Sequence, residues 1–138
     1  MNDKFEPSMV IDATDAVLGR LASVAAKQAL MGKTIAIVNC NAAVVTGRRQ
    51  RIIKEYYQKR SRGGASQKGP FFPKEPFRIV KRTIRGMLSY KQGRGNAALS
   101  RIRCFNTVPA EYEEVAKMKA GKPKTTTTLT LKKLEAEI

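Results

Sequence analysis

Positive side chains are concentrated in the middle of the chain. Of its 27 lysines and arginines, 17 lie between Arg48 and Arg103, where Glu55 and Glu75 are the only acidic residues. This segment carries a net charge of +15, within a total of +16 for the chain. Cations at this density repel one another unless an anion screens them, and phosphate is an anion that arginine and lysine bind well. The charge pattern predicts a polyanionic partner, with nucleic acid as the first candidate.

Residues suited to catalysis or metal binding are sparse. The chain has no histidine, which removes the commonest general base and the usual partner of a serine or cysteine nucleophile. Metal-assisted phosphodiester chemistry needs converging carboxylates, and the cationic segment offers only Glu55 and Glu75. Two cysteines without histidine cannot form a common structural zinc site, so we interpret Cys40 and Cys104 as buried, reduced thiols. We therefore expect no enzyme, no metal and no other cofactor.

Two glycine motifs resemble nucleotide-binding sequences without the context that those sequences require. Gly32-Lys33-Thr34 matches the end of a P-loop, but Lys27 stands where the motif needs glycine, and a strand is predicted to follow. Gly93 to Ala98 matches a relaxed dinucleotide fingerprint, but a predicted helix precedes it instead of a strand. We interpret the second motif as a flexible basic turn that approaches phosphate, and we expect no small-molecule substrate.

The chain is predicted to begin with a strand, a helix and a second strand. Thr14 and Asp15 are placed to cap a helix over 16–31. The β-branched run 34–39 is typical of a strand buried on both faces, as in a parallel sheet, and a further short strand is predicted over 42–46. This arrangement predicts a βαβ unit and an α/β fold.

Two cationic helices are predicted next. The second helix spans 48–60, and its apolar side consists of Ile52, Ile53, Tyr56 and Tyr57. The third helix spans 76–88, and at about 100° per residue it has two opposite faces. Its apolar face consists of Phe77, Val80, Ile84, Met87 and Leu88, and its cationic face of Arg78, Lys81, Arg82 and Arg85. A helix of this kind packs on a core with one face and presents cations with the other.

The rest of the chain is predicted to be less regular. The segment 91–96 reads as a basic turn, 101–105 as a strand, and 109–123 as surface chain. A short amphipathic helix near the end follows Thr130, which can cap it. We divide the chain into one nucleic-acid-binding domain over 1–122 and a C-terminal tail over 123–138.

No membrane segment is predicted. The start of the chain lacks the pattern of a signal peptide, and the longest apolar stretch, 35–45, is too short to span a bilayer. We expect a cytoplasmic protein without a membrane partner.

Several short motifs together resemble one protein family. In order, they are Leu18-Gly19-Arg20-Leu21-Ala22-Ser23, Gly32-Lys33, Val38-Asn39-Cys40-Asn41-Ala42, Val45-Thr46-Gly47, Tyr56-Tyr57 and Arg85-Gly86-Met87-Leu88. Their order and spacing resemble the L-thirteen family of large-subunit ribosomal proteins from about residue 10 to residue 112. The segments 68–71, 82–88 and 108–112 look like the archaeal and eukaryotic branch, and the lack of a long C-terminal extension favours an archaeal source. Ser89 departs from the family, which usually has proline there.

The resemblance implies both a fold and a function. The fold is a three-layer α/β/α arrangement with a small, mostly parallel sheet of about four strands. The function is that of a structural, non-catalytic component of the large ribosomal subunit, which binds large-subunit rRNA and supports subunit assembly and translation in the cytoplasm. The other expected partners are neighbouring large-subunit proteins, and we expect no obligate homo-oligomer.

The residues predicted to bind rRNA are cationic, because side chains engage mostly phosphates and 2′-hydroxyls of A-form RNA. In decreasing order of expectation they are Arg78, Lys81, Arg82 and Arg85; then Arg48, Arg49, Arg51, Lys59, Arg60 and Arg62; then Lys68, Lys91, Arg94, Arg101 and Arg103. The glycine-rich loop 61–73 is expected to become ordered on RNA. Glu111, Glu113 and Glu114 should avoid phosphate and meet a basic neighbouring protein.

Two other classes of protein fit part of the pattern. An architectural DNA-binding protein would have a similar charge, but cations spread over helix, loop and strand, together with the family resemblance, favour RNA. A nuclease or nucleotide-dependent enzyme is disfavoured by the missing histidine and motifs. Competition of folded rRNA fragments against duplex DNA distinguishes an RNA-binding protein from a DNA-binding one. A turnover assay with Mg²⁺ tests for an enzyme.

The charge pattern predicts a steep salt dependence of RNA binding, because each neutralised phosphate releases counterions. If about seven cations contact phosphates, log K should fall with log salt with a slope of roughly −5 to −6. Titrations of a folded rRNA fragment at several salt concentrations measure this slope. A slope near zero would show that binding is not electrostatic.

Overall fold

A computed structural model describes residues 6–61, 72–121 and 126–138. Its helices and strands follow in the order β1 (Met9–Asp12), α1 (Leu18–Leu30), β2 (Ile35–Val38), β3 (Val44–Thr46), α2 (Arg49–Ser61), α3 (Pro76–Gly86), α4 (Gly93–Ser100), β4 (Ile102–Cys104), β5 (Met118–Lys119), β6 (Thr128–Thr130) and α5 (Leu131–Glu137). Two 3₁₀ turns, Cys40–Ala42 and Ala110–Tyr112, lie between them. The predicted loop 61–73, with Arg62 and Lys68, lies almost entirely outside the described residues.

The central sheet has four parallel strands in the order β4-β2-β1-β5. Strand β2 is its most buried member, with every residue from Ile35 to Val38 fully inaccessible. It pairs with β1, placing Ile35 beside Met9, and on its other side with β4, placing Ile35 beside Ile102. The predicted βαβ unit is therefore present, formed by β1, α1 and β2.

The two faces of the sheet are covered differently. Ile11, Ile35 and Ile37 point into the main core, to which all five helices contribute. Val10, Ala36 and Val38 lie on the opposite face beneath Tyr112, from the 3₁₀ turn, with Phe105 and Val108 packed alongside. The predicted three-layer α/β fold is confirmed, with a thick helical layer on one side and a thin irregular layer on the other.

Helix α1 begins later than predicted. Thr14 and Asp15 do not cap it: the helix is preceded by Val17, whose side chain makes no capping bond. The side chain and N–H of Thr14 instead donate to Asp12 Oδ1, and Asp15 has a positive φ of 59°. Residues 13–17 thus form a turn, and Val17 pairs with Val44 as an isolated bridge. Local hydrogen bonds to Asp12 compete with the first helical turn and replace it.

Helix α4 occupies most of a segment that we predicted to be a basic turn. Glycine and asparagine have low helix propensity, so the local sequence argues against a helix here. The backbone of α4 approaches the chain after α3 closely enough that a Cβ atom on Gly95 would lie 2.0 Å from the carbonyl oxygen of Ser89. Tertiary packing, which requires glycine at this position, therefore explains the motif better than an approach to phosphate.

Not every residue on the predicted apolar faces is buried. In α2, Ile52 and Tyr56 are buried, but Tyr57 is 59% exposed because it lies 140° around the helix from Ile52. In α3, Ile79, Val80 and Ile84 are buried. Met87 is 45% exposed because the helix ends at Gly86, so the helical periodicity no longer applies to it. Both burial predictions, for Tyr57 and for Met87, were wrong.

The C-terminal segment packs against the main core. Strand β6 pairs antiparallel with β3, and Leu129, Leu131 and Leu134 are buried. Thr130 caps α5 as predicted, accepting a hydrogen bond from the N–H of Lys133. The predicted boundary between domain and tail lies at residues 122–123, which the structure does not describe.

The burial pattern predicts that α3 stabilises the fold through Ile84 and not through Met87. Ile84→Ala should lower the free energy of unfolding by about 2–5 kcal/mol, because it leaves a cavity in the core. Met87→Ala should change it by less than about 0.5 kcal/mol. Urea unfolding monitored by circular dichroism measures both, and equal losses would show that the assignment of faces is wrong.

Candidate nucleic-acid interface

Helix α3 is held at its N-terminus by a residue distant in the sequence. The side chain of Glu75 makes no capping bond, and Pro76 has no N–H to be satisfied. The N–H of Phe77 donates to Asn106 Oδ1 at 2.9 Å, in the segment that follows β4. This bond satisfies one of the free N–H groups of the first turn and ties α3 to the edge of the sheet.

The cationic face of α3 forms a shallow groove. Its lining consists of Pro73 and four cations, which are Arg78, Lys81, Arg82 and Arg85, around a volume of about 250 Å³. The structure therefore brings together all four residues that we placed first among the predicted RNA contacts. A groove lined by guanidinium and ammonium groups is suited to binding phosphate oxygens.

Aromatic rings support the cations of this groove. The Arg82 guanidinium lies over the Phe72 ring at 4.8 Å, and the Arg85 guanidinium lies over the Tyr90 ring at 5.2 Å. The same kind of contact joins Arg78 to Phe77, at 5.6 Å. A ring beneath a guanidinium restricts the side chain to fewer conformations.

Phe72 also connects α3 to α2. Its ring meets the Tyr56 ring edge to face, with centroids 5.5 Å apart, and the Lys59 ammonium lies 5.0 Å from the Tyr56 ring and 5.6 Å from the Phe72 ring. Cations of two helices thus share one aromatic cluster. We call Lys59, Arg78, Arg82 and Arg85, together with Phe72, the α2–α3 cationic surface.

Lys81 and Arg101, both predicted RNA contacts, instead bind backbone carbonyls of the fold. The Lys81 ammonium donates to the carbonyl oxygens of Leu99 and Ile102, linking α3 to α4 and β4. Burial lowers the pKa of Lys81. Arg101 donates to the carbonyl oxygen of Ala29 at 2.9 Å, at the C-terminus of α1, where free carbonyls favour a cation. These two side chains serve the fold, which sequence spacing alone does not reveal.

The predicted RNA contacts in α2, and Arg48 just before it, are all exposed. Two of them also bind the C-terminal end of the chain. Arg49 forms an ion pair with Glu137 at 2.5 Å, and Arg60 donates to the main-chain oxygen of Ile138 at 2.6 Å. The C-terminal helix α5 therefore lies against part of the predicted RNA-binding surface.

The remaining predicted contacts are more dispersed. Lys91, Arg94 and Arg103 are exposed, and Arg94 lines a second groove, of about 420 Å³, with Lys27 and Met87 among its neighbours. Arg62 and Lys68 are outside the described residues. The sequence analysis did not identify Tyr90 as a support for Arg85. The available signal was the spacing, since Tyr90 follows Arg85 by five positions.

A second candidate site lies at the carboxyl ends of β1 and β2. Asp12 Oδ1 accepts hydrogen bonds from Thr14 Oγ1 at 2.7 Å, from the Thr14 N–H at 3.0 Å and from Asn39 Nδ2 at 3.1 Å. Burial raises the pKa of Asp12, but these hydrogen bonds outweigh burial, so the pKa lies below its ordinary value of 3.8. The lowered pKa is the result expected for a structural carboxylate whose charge is satisfied locally.

The carboxyl ends of parallel strands are where open α/β sheets usually bind ligands. Here the chain itself occupies the space next to Asp12. A Cβ atom on Gly121 would lie 2.3 Å from the backbone nitrogen of Ala16, so the segment after β5 closes against the turn after β1. Within the described ranges no group of three or more acidic or cysteine side chains is arranged to hold a metal ion.

None of the helices in the described part of the chain combines the length and apolar character needed to cross a membrane.

The acidic residues Glu111, Glu113 and Glu114 are all exposed, in and just after the second 3₁₀ turn. This turn lies on the face of the sheet opposite the main core, beside Val10, Ala36 and Val38.

Comparisons with known proteins identify relatives over most of the chain. The family model for ribosomal protein L13 matches residues 6–111. The chain is 52% identical over 106 residues to large ribosomal subunit protein uL13 of Methanosarcina barkeri, covering 76% of this chain and 75% of that protein. It is 47% identical to the proteins of the same name from Natronomonas pharaonis, covering 81% and 76% of the two chains, and from Archaeoglobus fulgidus, covering 75% and 66%.

The lowered pKa of Asp12 predicts a defined loss of stability in acid. Because the folded pKa lies below 3.8, ionised Asp12 stabilises the fold above that pH, and this contribution is lost as pH falls through the folded pKa. Asp12→Asn should remove this part of the acid transition. Asn39→Gly, which keeps a residue suited to the positive φ of 60° but deletes one donor, should remove a smaller part.

Urea midpoints measured from about pH 5 to about pH 2 test this assignment. Identical acid profiles for the wild type and Asp12→Asn would show that the hydrogen bonds to Asp12 contribute nothing to folding.

Proposed function

Because the chain belongs to the ribosomal protein L13 family, we propose that it is a structural component of the large ribosomal subunit that binds large-subunit rRNA through the α2–α3 cationic surface. The predicted family and the predicted absence of enzymatic activity are confirmed by the comparisons. The relatives are proteins of the large ribosomal subunit, so the chain works in the cytoplasm, within that subunit.

The observation that carries the proposed site is the groove along α3. Four of its five lining residues are cations, three of them arginines. Arginine binds phosphate through two parallel N–H bonds, and rings beneath Arg82 and Arg85 hold these groups in place before RNA arrives. Less conformational freedom is then lost on binding, which favours recognition of a fixed RNA backbone shape.

This mode of binding fits folded RNA better than a linear duplex of DNA. The deep, narrow major groove of A-form RNA hides the base edges, so recognition relies on phosphates, 2′-hydroxyls and shape. The α2–α3 cationic surface combines two helices at one aromatic cluster around Phe72, which suits a backbone that bends across both. Lys81 supports this surface from beneath by fixing α3 to β4.

We further propose that the exposed acidic residues Glu111, Glu113 and Glu114 contact a basic neighbouring protein of the subunit. They lie beyond β4 in the chain, on the side of the sheet opposite the main core, where Tyr112 packs. Phosphate would be repelled there, whereas the lysine and arginine side chains of a neighbouring protein would be attracted.

The proposed site predicts separate effects on binding and on stability. Arg78→Ala and Arg85→Ala should each weaken binding to a folded rRNA fragment and reduce the magnitude of the salt slope by roughly 0.7–0.9 for each phosphate contact that is lost. Because Arg78 is exposed and Arg85 is partly exposed, neither change leaves a cavity in the core, and the free energy of unfolding should change by less than about 0.5 kcal/mol. Titrations at several salt concentrations, with urea unfolding in parallel, measure both quantities.

A charge-matched control comes from the opposite edge of the sheet. Lys119→Ala removes one exposed cation from β5 and should leave affinity nearly unchanged. If it weakens binding as much as Arg85→Ala, the net charge of the chain, and not the α2–α3 cationic surface, governs affinity. Equal binding to duplex DNA of the same length would contradict the preference for folded RNA.

A further inference from the structure

The two cysteines of the chain meet at the carboxyl ends of neighbouring strands. Cys104 ends β4, where it pairs with Ile37 of β2, and Cys40 begins the 3₁₀ turn just after β2. The N–H of Cys40 donates to the carbonyl oxygen of Phe105 at 3.1 Å. The N–H of Phe105 donates to the carbonyl oxygen of Ile37 at 2.8 Å. Backbone hydrogen bonds therefore fix both residues beside each other.

The side chains of the two cysteines also interact. Cys40 and Cys104 share a side-chain hydrogen bond, and neither is part of a disulfide. The Cys40 thiol is further oriented by a hydrogen bond to the carbonyl oxygen of Ile37, at 3.8 Å. A disulfide requires two cysteines on suitably placed backbones, and the pairing of β4 with β2 brings Cys104 and Cys40 to the same end of the sheet.

The environments of the two thiols differ in a way that assigns them separate chemical roles. Cys40 is 0% exposed. Cys104 is partly exposed and lines an open groove of about 320 Å³ with Phe77, Phe105 and Asn106. One thiol is thus accessible to a small reagent, and the other is buried.

We propose that Cys104 and Cys40 form a peroxide-sensitive thiol pair, in which Cys104 is oxidised first and Cys40 resolves it to an internal disulfide. In the first step, the Cys104 thiolate attacks hydrogen peroxide, giving a Cys104 sulfenic acid and hydroxide. In the second, the Cys40 thiol attacks the sulfenic sulfur, which forms the disulfide and releases water. The two cysteines lose two electrons together, and the peroxide receives them.

The order of the two steps follows from exposure, because a reagent in solvent meets the partly exposed Cys104 before the buried Cys40. The hydrogen bond with Cys104 and burial both raise the pKa of Cys40, so Cys40 remains a thiol until its partner has reacted. A sulfenic acid next to a second thiol condenses to a disulfide instead of being oxidised further.

Treatment of the folded full-length chain with hydrogen peroxide tests the proposal. After quenching, denaturation and reaction with a maleimide, the monomer should show no alkylated cysteine, and a dithiol reductant should restore both. Peptide mass spectrometry should find Cys40 linked to Cys104 within one chain. A monomer in which Cys104 carries sulfinic acid while Cys40 stays reduced would overturn the proposal, as would linkage only between chains.

Single substitutions separate the roles. In Cys40→Ala, which leaves the buried site apolar, Cys104 should accumulate as a sulfenic acid that dimedone captures. In Cys104→Ala, Cys40 should stay reduced at the same dose, because it is buried. Rapid oxidation of Cys40 in Cys104→Ala, or no captured sulfenic acid in Cys40→Ala, would contradict the assigned order. Circular dichroism of both variants confirms that each is folded.

Discussion

The complete burial of strand β2 is the constraint on which the rest of the structure depends. Its four residues, Ile35 to Val38, have no contact with solvent and pair with strands on both sides. Both faces of β2 must then be covered, by the five-helix core on one side and by the segment around Tyr112 on the other. Because β2 also fixes β4, it determines where α3 is anchored, and therefore where the cations of α3 are exposed.

Much of this arrangement could be predicted from local patterns. The β-branched run of β2, the alternation of faces in α3 and the cap at Thr130 each follow from the periodicity or chemistry of neighbouring residues. Helix α4 and strand β5 could not be predicted, because contacts distant in sequence determine them: Gly95 packs on the Ser89 carbonyl, and Met118 pairs with Ile11. Propensity describes only the local part of the free energy.

The cationic residues show the same division. Spacing along a helix places Arg78, Lys81 and Arg85 on one face, but does not distinguish an exposed guanidinium from an ammonium that binds two carbonyls. The cationic side chains thus fall into two groups. One group is available to a polyanion. The other, which includes Lys81 and Arg101, binds backbone carbonyls and joins helices and strands within the protein.

The contact between α5 and α2 changes how ions are exchanged when the protein binds a polyanion. Glu137, paired with Arg49, is a counterion that is covalently attached to the protein and cannot diffuse away. When a phosphate takes its place, the carboxylate is displaced but stays in the molecule, so Arg49 itself releases no mobile anion to the solution. Contacts made by such a residue add affinity with little entropy of ion release, and their strength depends on the position of α5 more than on the surrounding salt.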